Sequence, residues 1–458
     1  MRIPTRSLAL LTLALGLRAS AAEIVDIQPH YLPVSRGYAV DVAPTEDGTR
    51  AYVLFNVSPL GPEAVGIVDV ASGSQIGTFD AAPGSYVDFR GGAVAGNDLY
   101  IAGDFRLVRV DLDTLQSTSL FDPPPGQSLH GSNVVVSALH HVYAVAGGSL
   151  LEVDPATAAV VHQAALVSSG FALAVAVSAD ETAIYVVDSG TGVLRKFDGN
   201  TFAQVSSWSF LTYTGILQYR PSVLVGPDGL VYVGYVDRDF HFTLATFDPE
   251  GTAYGWKTYG VWSEGLDFTR DGTDLLDGNG DFIDRQSQYI AHHVTTGIGG
   301  YQVHLARNGR RAFVSDHGRP TLVVMDLVYA PRTVPIEIPD GALRDRAGLV
   351  PVAILSQDGF DATTVDPLSV CFGDADAAEE RSCGEVHGTG HPEDVDGDGD
   401  LDLMLHFRAD STGIDPEDAE ACLTGQTLDG EEVTGCDAIR WVGRSWGRPS
   451  VRFGRKTP

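Results

Sequence analysis

The chain has 458 residues, 44% of them hydrophobic, with 19 Phe, 16 Tyr and 5 Trp; this is ample material for packed cores and excludes global disorder. Its 52 Gly and 24 Pro favour many turns over long helices. Acidic residues number 60 against 30 basic, and the resulting charge of −30 repels phosphate backbones and argues against a nucleic-acid partner.

In chain order, residues 1–22 read first as an export signal. Arg2 and Arg6 precede an apolar run of 11 residues, Ser7 to Leu17, and Ala19-Ser20-Ala21 offers small residues to a signal peptidase. The run is too short to span a bilayer, and no later stretch approaches about 20 continuous apolar residues. A secreted or periplasmic protein with no membrane span is expected.

From residue 23 to 330 a weak repeat fills the chain. Tyr52, Tyr100, Tyr143, Tyr185 and Tyr232 anchor short β-branched runs and are spaced by 48, 43, 42 and 47 residues. A degenerate Asp274-Leu275-Leu276 and then Ala312-Phe313-Val314-Ser315 continue the series. A second strand ending in aspartate follows most anchors, as at Val68-Asp69, Val110-Asp111, Val153-Asp154 and Phe197-Asp198. Four short strands per period of roughly 40–50 residues is the pattern of a propeller blade, and the anchors count seven. A series of β-sandwiches or a solenoid is the competing reading. The segment Glu23 to His30 looks like a strand outside the first repeat. It is expected to complete the last blade and remove its exposed edge.

The pattern of Asp-Gly turn, Tyr-Val strand and Val-Asp resembles the YVTN-type seven-bladed propellers of the lactonase-like superfamily. The motif stands here as Tyr185-Val186-Val187-Asp188 and Phe313-Val314-Ser315-Asp316. The resemblance implies an all-β fold with a seven-bladed β-propeller, and it carries little about chemistry.

After Tyr329-Ala330-Pro331 the composition changes: residues 333–458 hold 26 of the acidic residues, 10 of the basic ones and all four cysteines. Strand-like runs at Val334–Ile338, Leu349–Leu355, Leu401–Phe407 and Ala438–Val442 predict a small β-sandwich-like domain over 333–445, followed by a basic tail, 446–458. Its aspartate-rich run resembles a C-terminal module of many secreted bacterial proteins. Four cysteines in an exported chain predict two disulfides. Of three possible pairings, Cys371–Cys383 and Cys422–Cys436 are preferred because each would staple a Gly/Asp-rich loop.

The strongest chemical motif is Asp394-Val395-Asp396-Gly397-Asp398-Gly399-Asp400-Leu401-Asp402. Alternating carboxylates and a glycine at the sixth position suit Ca2+, which takes six to eight oxygens. Asp394, Asp396 and Asp398 would bind by side chain, Asp400 through its carbonyl, and Asp402 directly or through water. Leu405 stands where an EF-hand needs its bidentate carboxylate, so the loop is closer to the Asp-x-Asp-x-Asp-Gly-x-x-Asp loops of integrin-type hairpins. A second loop, Asp277 to Asp284, has Phe282 where glycine is wanted and reads as a blade turn.

Catalytic signals are diffuse. Glu264, Asp267, His304, Asp316 and His317 are the weak candidates, and His292-His293 is a further concentration. No nucleophile elbow, zinc-protease helix or phosphate loop is present. The reading is therefore a secreted propeller acting as a binding or interaction scaffold for an unknown extracellular ligand or protein. It is expected to be a monomer with a structural calcium site. The alternative is a lactonase-like hydrolase or lyase with a metal in the propeller channel.

Overall fold

The computed structural model describes residues 24–34, 38–56, 64–81, 89–122, 131–166, 173–188, 191–209, 220–237, 239–259, 263–270, 272–294, 300–316, 320–339, 342–343, 348–357, 359–375, 382–428 and 430–439. The expected export signal, His317 and the basic tail lie outside the described residues. Two compact units result, Ile24–Val328 and the chain from Tyr329 onward.

The first unit is a seven-bladed β-propeller. Among the described residues, four-stranded antiparallel sheets cover 38–79, 89–121, 134–165, 173–209, 222–259 and 266–293, and these form blades 1 to 6 in chain order. Blade 7 takes Gly300–Leu305, Arg311–Asp316 and Thr321–Tyr329, and its outermost strand is Ile24–Pro33 from the start of the chain. The expected closing strand is thus in place. First strands of successive blades touch one another around the circle, and that of blade 7 touches that of blade 1.

The packing follows from the pattern of side chains. Second strands such as Asp98–Gly103 and Val231–Val236 are buried along their whole length because both faces meet a neighbouring blade. Outer strands such as Ser74–Phe79 alternate between exposed and half-buried, with one face open to water. Tyr52, Tyr100, Tyr143, Tyr185 and Tyr232 all sit in second strands and are buried, as is Phe313 in blade 7. Blade 6, weak in sequence, is complete but short, with strands Leu266–Phe268, Asp274–Asp277, Asp281–Asp284 and Ile290–His293.

The second unit is a β-sandwich. One sheet orders Arg332–Thr333, Glu432–Ala438, Glu420–Gln426, Cys371–Asp374 and Ser382–Cys383; the other orders Ile336–Glu337, Leu349–Ile354, Asp402–Arg408 and His391–Glu393. Val350, Val352, Ile354, Leu403, Leu405 and Phe407 from one sheet pack on Phe372, Leu423 and Val433 from the other. Both disulfides, Cys371–Cys383 and Cys422–Cys436, join directly opposed residues of neighbouring strands, in the preferred pairing.

Candidate functional site

The first strands of the blades line a channel that holds a cavity of about 250 Å³. Its wall is mainly apolar, with Val94, Val134, Val136, Val223, Leu266 and Val303, and its polar points include Asn133, Gln302, Asp267 and His304. Glu46, Ser222 and Arg307 add further polar groups to the lining.

Asp267 and His304 of the lining lie on consecutive first strands, and Asp41 on the next one pairs with His304. Asp41 of blade 1 is fully buried, accepting from the Gly92 backbone N–H at 2.9 Å and pairing with His304 Nε2 at 2.7 Å. A shift of register between Ala39 and Asp41 falls just where that carboxylate is presented. Asp267 of blade 6 accepts from the N–H groups of Leu305 and Phe268, both at 2.8 Å. Gly265 allows this approach, since a Cβ there would stand 2.4 Å from the Val303 nitrogen. Burial alone would depress the His304 pKa, but the charge and hydrogen bond of Asp41 and the charge of Asp267 outweigh it and hold the imidazole above its usual value. Burial raises the Asp267 carboxyl despite His304 and the two backbone donors.

Arginines span both mouths of the channel. Arg220 of blade 5 donates to the carbonyls of Val40, Phe89 and Arg90 at 3.0, 3.1 and 2.7 Å, at the beginnings of the first strands. Arg307 of blade 7 crosses the other end, donating to Ser137 O at 2.7 Å and Glu46 Oε1 at 3.2 Å.

Of the five candidates read from sequence, the structure brings together Asp267 and His304. Glu264 is buried just ahead of blade 6, and its backbone carbonyl accepts from Ser222 Oγ at 2.6 Å. Asp316 ends a strand of blade 7, and His317 lies outside the described residues. His292 and His293 stand on the outer strand of blade 6, away from the channel, where His293 Nδ1 pairs with Asp281 Oδ1 at 2.5 Å. Asp277 to Asp284 is the turn and second hairpin strand of that blade. Asp41 escaped the sequence reading; its only signal is a carboxylate inside the apolar run Tyr38 to Pro44.

In the sandwich, Asp394, Asp396 and Asp402 converge, with one carboxylate oxygen from each within 4.8 Å of the others. Asp402 anchors the loop: it is fully buried and accepts from Ser356 N and Val395 N, both at 2.8 Å. Asp398 and Asp400 stand outside that group, and Asp398 Oδ1 accepts from the Asp400 N–H at 3.0 Å. Desolvation, a hydrogen bond with Asp398 and the charges of Asp398, Asp402 and Asp396 push Asp400 up to about 6. Two groups of metal-ligating type were not read from sequence: Glu385 with His387, His391 and His406, and His141 with Glu152 and Glu181 on blades 3 and 4. The first is visible afterwards as Glu385-Val386-His387 followed by Gly390-His391. No helix among the described residues is long and apolar enough to cross a membrane.

The ring of four-stranded blades around a lined channel makes the first unit a β-propeller. Solved structures of the same class align with it: virginiamycin B lyase from Staphylococcus aureus, crystallised as a catalytically inactive variant with quinupristin, covers 66% of this chain and all of its own at 7% identity, TM-score 0.52. The selenomethionine form of that lyase aligns with TM-score 0.51, and Kuenenia stuttgartiensis hydrazine synthase with TM-score 0.50 at 14% identity, over 65% of this chain and 98% of its own. At these identities the likeness establishes the fold. No protein-family model matches the sequence, and no curated protein does.

Proposed function

We infer that the protein is an exported binding scaffold whose propeller channel takes a small ligand, with a calcium loop stabilising the sandwich. The observation that carries the reading is the channel cavity, with half-buried His304 and Asp267 in its lining and His304 held by the buried carboxylate of Asp41. Buried charges of this kind are costly unless paired, and a site uses them to orient a polar group of the ligand. Two disulfides and the apolar run after Arg6 support export to an oxidising compartment.

The channel is tested by soaking crystals of the full chain with a library of small polar fragments. Fragments are expected between His304 and the valines of blades 2 and 3, and His304→Phe should abolish them by filling the cavity. Binding confined to other surfaces would overturn the channel reading. For calcium, Asp394, Asp396 and Asp402 converge and Asp402 is locked by two backbone donors, which supports a preformed oxygen cradle. Excess calcium should raise the Tm of the sandwich transition in the full chain, and Asp396→Asn should remove the shift. An identical transition in calcium and in chelator would sink that part.

A further inference from the structure

We propose that the sandwich carries a second and chemically different metal site: a divalent transition metal of the zinc class held by Glu385, His387, His391 and His406. The inference rests on the histidines and is independent of the channel and of the aspartate loop.

The sheet builds the site. Leu403, Leu405 and Phe407 point into the core, so the period of two sends Met404 and His406 to the opposite face of the same strand. His391 on the neighbouring strand is paired with Met404 and therefore shares that face, diagonal to His406. The intervening segment brings Glu385 and His387 over the same patch: Val386 N donates to His406 O at 3.0 Å, and Gly388, at φ +71°, closes a turn onto Glu385 O at 3.0 Å. Gly390 then passes close to the sheet, since a Cβ there would stand 2.3 Å from Leu403 Cδ1.

One ligand atom from each of the four residues lies within 4.8 Å of the others. Glu385 Oε1 is 3.0 Å from His387 Nδ1 and 3.7 Å from His406 Nδ1. A tetrahedral zinc with bonds of about 2.0–2.1 Å has ligand–ligand edges of roughly 3.4 Å, which those two separations bracket. The three imidazole rings stand 5.4 to 5.7 Å apart, centre to centre, in edge-to-face contact.

The electrostatics agree with the geometry. The Glu385 side chain is fully buried, which places a carboxylate where a cation lowers its cost. His406 Nδ1 is buried with no hydrogen-bond partner among the described residues. A metal would satisfy that nitrogen. Imidazole donors suit zinc, copper and nickel, whereas calcium takes hard oxygens, so the two sites of this unit should not compete. His387 and His391 are exposed and give the ion an entry path. Once bound, the metal would tie the segment 384–390 to the face of the sheet.

The test uses the full chain, stripped with chelator and returned to buffer containing excess calcium, then titrated with zinc alone by calorimetry and with cobalt by visible absorption. The expected result is uptake of one equivalent of zinc in the presence of calcium, and cobalt bands of a four-coordinate nitrogen and oxygen site. His387→Ala and His391→Ala change exposed positions and should leave the fold intact. Each should weaken zinc by more than about 100-fold, beyond what losing a merely orienting neighbour costs. His141→Ala, in the cluster on blades 3 and 4, should leave uptake unchanged. Wild-type uptake no greater than that of His391→Ala, or uptake removed by His141→Ala, would overturn the proposal.

Discussion

Asp277 ends the second strand of blade 6 with its side chain fully buried, and burial, then the charge of Asp281, pushes its carboxyl up to about 7 against the N–H groups of Asn279 and Asp281. The folded chain therefore holds this proton more tightly than the unfolded one. The stability it contributes is complete below the ordinary carboxylate value of about 4 and is lost as pH rises to about 7. Asp277→Asn keeps the acceptor and removes the charge, so its Tm should exceed wild type at pH 8, by roughly 2 °C or more, and the advantage should vanish at pH 4. A gap of equal size at both pH values would show that titration plays no part. The repeating aspartates behave oppositely. Asp111 and Asp198 each accept from the backbone N–H and the hydroxyl of the threonine three residues on, which holds their carboxyls below the usual range. Their recurrence in the sequence is turn chemistry, not catalysis.

At the level of strands, the two disulfides sit where Glu420–Gln426 meets Glu432–Ala438 and where Cys371–Asp374 meets Ser382–Cys383. Replacing Cys422 and Cys436 together by serine should destabilise the sandwich by about 3 kcal/mol, the loop-closure value for some 15 residues. Urea unfolding followed by Trp-independent probes in that unit would measure it; a loss near zero would mean that packing alone fixes the pair of strands. The second strands of the blades were legible in the sequence because both faces are buried and the Tyr-Val runs stand out as continuous apolar stretches. The sandwich was less so. Cys371–Asp374 and Glu420–Gln426 carry glycine, aspartate or glutamine beside few apolar residues, and the strand Glu432–Ala438 ends at the residue where the predicted run, Ala438–Val442, begins. Their pairing depends on cross-links and on Phe372 and Leu423, which no local pattern announces. Likewise the row Asp267, His304 and Asp41 arises from three strands about 40 and 260 residues apart in sequence, so only Asp267 and His304 drew notice as single residues.

For the whole molecule, the decisive pairing is between Ile24–Pro33 and Thr321–Tyr329. Deleting residues 24–33 should leave the outer edge of blade 7 bare, lower the Tm of the propeller and give concentration-dependent association detectable by light scattering. A monomer of unchanged Tm would mean that the ring needs no latch.

That latch also orders events in time. The strand that finishes the last blade is the first part of the propeller to leave the ribosome, yet its docking edge is among the last to be made. Throughout synthesis it travels without a mate, and the contact that seals the circle is of the slow, non-local kind. Any product cut short before residue 321 is consequently left as an arc with two raw ends.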